Sequence, residues 1–167
     1  MSFNLTPAQY FEIVRAEHQD FKADRASIRR TISCCTLTNH IVDHLTSHYF
    51  QTDPAKLHIQ PGLTFKAALN VYRDHVVGEC PDISVIRDLC DYGKHGSHLD
   101  RPSVQVQWTG LEETYGFHVS FAEVPASDYV KTVRVGIIMK DGGEMKLEVV
   151  LASVFHYWER KFVAEAL

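Results

Sequence analysis

Apolar residues recur at helical spacing over the first hundred positions and then alternate over much of the remainder. Thr6-Pro7 reads as a cap with proline at the first helical position, opening a helix to about residue 22. Tyr10, Phe11, Val14 and Phe21 form its apolar face. A longer helix is expected over about 24–50, with Ile28, Ile32, Cys35, Val42, Leu45 and Tyr49 as its inward stripe. Asp53-Pro54 and Pro61-Gly62 mark the loop that follows. A third helix over about 64–77 carries Phe65, Ala68, Leu69, Tyr72 and Val76. Pro81-Asp82 opens a fourth, through Ile83, Ile86, Leu89 and Cys90, ending near Gly93 or Gly96.

After Arg101-Pro102 the period changes to two. Val104, Val106 and Trp108 share one strand face, as do Phe117, Val119 and Phe121, and then Val133, Val135, Ile137 and Met139. Asp141-Gly142-Gly143 is a hairpin signal leading to Met145, Leu147 and Val149. The chain closes with a helix whose stripe is Leu151, Val154, Phe155, Trp158 and Phe162. The expectation is an α+β fold: a four-helix bundle over about 1–100, then an antiparallel β-meander and a C-terminal docking helix over about 101–167. No repeat or linker divides the chain, so 1–167 reads as one composite domain.

Composition narrows the classes without naming a function. The 167 residues are 45% hydrophobic and 23% charged, which excludes a disordered or collagen-like chain. A net charge of -4 offers no bulk field for nucleic acid, so there is no DNA signal and any RNA contact needs a local basic patch. The start lacks a basic and apolar leader, and residues 31–42, free of Lys, Arg, Asp and Glu, are too few and too polar to span a bilayer. Cys34, Cys35, Cys80 and Cys90 show no C-x-x-C spacing and read as reduced thiols in a cytoplasmic protein.

Three constellations could carry chemistry. On the fourth helix, Arg87 and Lys94 fall within about 20° of each other, as do Asp88 and His95, and Asp91 sits one turn from Arg87 and His95. Arginine and lysine there could hold a phosphodiester while histidine moves a proton. The same residues also suit a charged, glycine-capped helix end, a structural latch rather than a site. His40, His44 and His48 lie at i, i+4, i+8, with Asp43 beside them. That spacing could chelate a metal if another ligand arrived, but no H-E-x-x-H accompanies it, and a polar face with no ligand, or a histidine packed against a second layer, is the stronger reading. Arg25, Arg29 and Arg30 could contact phosphate, or pair with Glu17, Asp20 and Asp24, the reading favoured here. No P-loop, dinucleotide fingerprint or nucleophile elbow is present, and no cofactor is expected.

Cys80-Pro81, Ile86-Arg87-Asp88 and Lys94-His95, with Ser27-Ile28-Arg29 and His40-Ile41-Val42-Asp43 upstream, carry a resemblance. Together with Asp141-Gly142 and Tyr157-Trp158 they make the chain similar to HEPN-like helical proteins, close to a group of short bacterial proteins with a CP…RD…KH segment. The resemblance covers most of the chain. It implies RNA-cleaving toxins and antiviral ribonucleases on one side, and dimerisation or interaction modules on the other. In the ribonucleases a shorter Arg-to-His spacing builds the site, usually across a homodimer. Here seven residues stand between Arg87 and His95, and Asp88 adds negative charge beside the phosphate position. The expectation is therefore an interaction or structural module, in a defence or toxin-type setting, with a protein or RNA partner and no membrane. The alternative is a metal-independent endoribonuclease using Arg87, Lys94 and His95, with Asp88, Asp91, His40 and Asp43 in support. A metal-binding histidine face comes third.

Overall fold

Thr6 starts the first helix through a reciprocal cap. The Gln9 backbone N–H donates to Thr6 Oγ1 at 3.2 Å, and the Thr6 N–H donates to Gln9 Oε1 at 2.9 Å. The computed structural model describes residues 5–25, 27–95, 106–116, 130–139 and 143–165. In order, these form α1 (Pro7–Ala23), α2 (Ile28–Asn39), α3 (Ile41–Tyr49), a 3-10 turn (Pro54–Leu57), α4 (Phe65–Glu79) and α5 (Asp82–His95). Strands β1 (Val106–Gly116), β2 (Val130–Met139) and β3 (Glu144–Lys146) follow, then α6 (Leu147–Glu165).

The long second helix expected from periodicity is two helices. His40 ends α2 and begins α3, its backbone near φ -80° and ψ -3°. The run Thr36-Leu37-Thr38-Asn39 explains the break, since β-branched residues and asparagine are poor helix formers. Each piece keeps its own buried face. On α2 that face is Thr31, Cys34, Cys35 and Thr38, and on α3 it is Ile41, Val42, Leu45 and Thr46. Ile32, expected inward, is instead 59% exposed. It stands one residue away from the stripe that packs.

The protein is mostly helical, which overturns the α+β class and the β-meander expected to fill its second half. Among the described residues, strand pairing is an antiparallel ribbon of β1 on β2, from Val106↔Met139 to Gly116↔Val130, and the three residues of β3. Met145, Leu147 and Val149 alternate in the sequence, yet α6 already begins at Leu147. Buried Leu147, Val150, Leu151, Val154, Phe155 and Trp158 follow the helical period from that start, and Val149 is left exposed. A helical stripe won over a short alternation. Val104, Phe117, Val119 and Phe121 lie outside the described residues.

Helices α1 and α6 run antiparallel along one seam. Phe11 stacks on Phe162 at 4.3 Å, His18 stacks on Phe155 at 4.2 Å, and Arg25 Nη1 meets Glu148 Oε2 at 2.6 Å. Helix α5 packs chiefly on α2 and α6, and it also contacts α4 and β1. The apolar core joins residues of α1 to α5 with Ile137 of β2 and the buried stripe of α6. Among the described residues no helix is long and apolar enough to cross a membrane.

Candidate functional site

Arg87, Asp88, Asp91, Lys94 and His95 all fall on α5, which continues through Gly93 to His95. Unwinding at Gly93 would have been needed to turn position 95 back toward Arg87. An unbroken helix instead separates the two by about 12 Å along its axis and about 80° around it. Asp88 is 1% exposed, on a helix whose Ile83, Val85, Ile86 and Cys90 are also buried. Arg87 is half-buried, with Nε 3.8 Å from Asp88 Oδ1. Helical spacing puts position 95 on the same sector as buried Asp88. The side chains of Lys94 and His95 lie outside the described residues.

The upstream candidates divide between other partners. Asp43 Oδ1 accepts from Arg73 Nη2 of α4 at 3.0 Å. His44 stacks on Tyr10 of α1 with ring centres 4.5 Å apart, and its Nε2 lies 3.1 Å from the Leu5 carbonyl. The Tyr10 hydroxyl donates to the Leu37 carbonyl at 3.0 Å, and burial, with the Asp43 carboxylate adding to it, pushes this phenol up to about 12. His40 occupies the α2–α3 joint, and His48 packs edge-on against its neighbour Tyr49. Among the described residues no three His, Cys, Asp or Glu side chains are placed to hold a metal ion. Because His44 is committed to α1, chelator treatment should leave the melting temperature unchanged. A drop of several degrees that zinc reverses would show the histidine face to be a metal site.

The basic cluster at the start of α2 is paired. Arg30 Nη1 donates to the Asp20 carbonyl at 2.9 Å and lies 3.4 Å from its carboxylate, and Arg30 Nε lies 3.7 Å from Asp24. All four cysteines are buried, and none is in a disulfide. Burial raises the Cys34 thiol to about 12 and Cys35 well above its ordinary value, so neither is a thiolate nucleophile near neutral pH.

One polar constellation escaped the sequence. The Tyr157 hydroxyl and Lys161 Nζ both donate to Glu79 Oε2, at 2.6 and 3.0 Å, while His75 Nε2 lies 3.5 Å from Glu79 Oε1. The His58 ring, on a backbone at φ 53°, faces His75 at 4.1 Å. The Tyr157 hydrogen bond and the Lys161 charge hold the Glu79 carboxyl below its usual range. The i, i+4 pair Tyr157 and Lys161 was visible on α6, but its acceptor sits 78 residues away from the tyrosine. Only folding brings them together. Comparison with protein-family models, curated proteins and solved structures finds no match to this chain.

Proposed function

We propose that the protein is a HEPN-like interaction or structural module, in which the 87–95 segment latches α5 into the helical body. The observation that carries this reading is Asp88, a carboxylate buried beside Arg87 on a helix packed from several sides. A buried acid next to the arginine opposes phosphate binding and favours an internal bridge. Four buried thiols fit a reducing compartment such as the cytoplasm.

The test separates latch from ribonuclease. Asp88→Ala should lower stability by about 1–3 kcal/mol, the cost of an unmade buried polar interaction. The wild-type protein should leave structured and single-stranded RNA intact with chelator present. Cleavage that survives chelator and falls ~10²–10⁴-fold in a stably folded His95→Ala variant would replace the module with an endoribonuclease.

A further inference from the structure

We propose that α1 is docked to α6 by a pH-sensitive latch at His18, and that protonation of this ring releases the helix. The imidazole is 6% exposed and stacks on Phe155, with ring centres 4.2 Å apart and planes 19° from parallel. Its Nδ1 is buried and finds no hydrogen-bond partner among the described residues. A neutral ring tolerates that position as an aromatic filler. A protonated ring needs a donor's partner at both nitrogens, and this seam gives Nδ1 none.

Several charged groups around the seam have partners of their own. On α1, Lys22 adds like charge one turn from His18, and Arg15 Nε faces Glu159 of α6 at 4.0 Å. Further along α6, Glu148 takes Arg25 at 2.6 Å. Arg30 of α2 is held by Asp20 and Asp24, and Glu17 of α1 lies toward Cys34 of α2. From α3, Asp43 takes Arg73, and His44 contacts the other end of α1 through Tyr10 and Leu5. Burial, reinforced by Lys22, accordingly lowers the His18 pKa to about 4.

A ring that regains water on undocking returns to its ordinary range near 6.5, so the undocked state binds the proton more tightly. The docked state is therefore favoured above that range and loses ground as pH falls toward 4. At pH 5.5 the undocking equilibrium should be about tenfold larger than at pH 7.5. Release would uncover Phe11, Phe155 and Phe162, the aromatic faces of the seam. Once undocked from α6, α1 keeps its contacts with α2 and α3 but loses one packed face, so its amides lose part of their protection.

Hydrogen exchange on the intact chain, corrected for intrinsic pH dependence, reads this directly. From pH 7.5 to 5.5 the α1 amides should open about tenfold more while the core amides of α4 keep their protection. His18→Leu should abolish the pH dependence, and His44→Gln, altering the α3 imidazole that packs on α1, should retain it. Loosening of α1 and α4 in step, no pH effect, or a pH effect that persists in His18→Leu would overturn the proposal. Should His18→Leu fail to fold, titration of the wild-type ring by NMR decides. A His18 still neutral at pH 5.5 supports the latch, and one titrating near 6.5 in the folded protein overturns it.

Discussion

Trp158→Ala should cost about 3–5 kcal/mol of folding stability, the range for deleting a large buried aromatic. Trp158 is 1% exposed and belongs to the one cluster that joins α6 to the other helices. Its ring meets Tyr157 edge-on at 5.0 Å and Phe162 at 6.4 Å, so truncation also removes aromatic contacts from both neighbours. The indole Nε1 is buried with no acceptor among the described residues. Trp158→Phe should therefore cost much less than Trp158→Ala, because loss of an unsatisfied donor offsets part of the lost volume. Denaturant unfolding at constant m-value measures both. An alanine variant within 1 kcal/mol of wild type would mean that α6 does not organise the core.

The second large effect is expected at Glu79. Replacing it with glutamine withdraws the carboxylate from the buried Lys161 ammonium and from the Tyr157 hydroxyl. Breaking a fully buried pair costs about 3–5 kcal/mol, but Glu79 is 43% exposed, so about 1–3 kcal/mol is expected here. Lys161→Met in the Glu79→Gln background should restore part of the loss, since a flexible apolar side chain fills the same channel without a charge to satisfy. A double-mutant cycle with no coupling between positions 79 and 161 would show the pair to be incidental. The pH sign follows from the lowered Glu79 pKa. The Glu79 contribution is present above the ordinary carboxylate range and is lost as pH falls through the folded-state value. Solvent screening keeps that acid-side loss small.

The α5 candidates were legible because they are local. Arg87, Asp88, Asp91, Lys94 and His95 occupy one helix, and their angular relations follow from helical geometry alone. Which of them turns inward was not legible: Asp88 reads as a surface charge, and only the packing of the folded chain leaves it 1% exposed. The partners of the histidine run were not legible either. A period of four placed His40, His44 and His48 along a polar face, but the break at His40 and the arrival of α1 turned His44 into a packing ring against Tyr10.

Local pattern by itself determined the cap at Thr6, the apolar face of α1, that of α4 from Ala68 onward (Phe65, expected on it, is 43% exposed), and the stripe of α6 from Leu151 onward, because each depends on residues within a few turns of one another. The tertiary structure alone decided that the alternation would stop at Lys146 and Leu147 to Val149 would join a helix, that Ile32 would face water, that His18 Nδ1 would be buried with no hydrogen-bond partner among the described residues, and that Glu79 would meet Tyr157 and Lys161. Alternation and helical period coexist in a short apolar run, and only burial against distant residues breaks the tie. The polar contacts that distinguish this protein join residues dozens of positions apart, where no sequence period can register them.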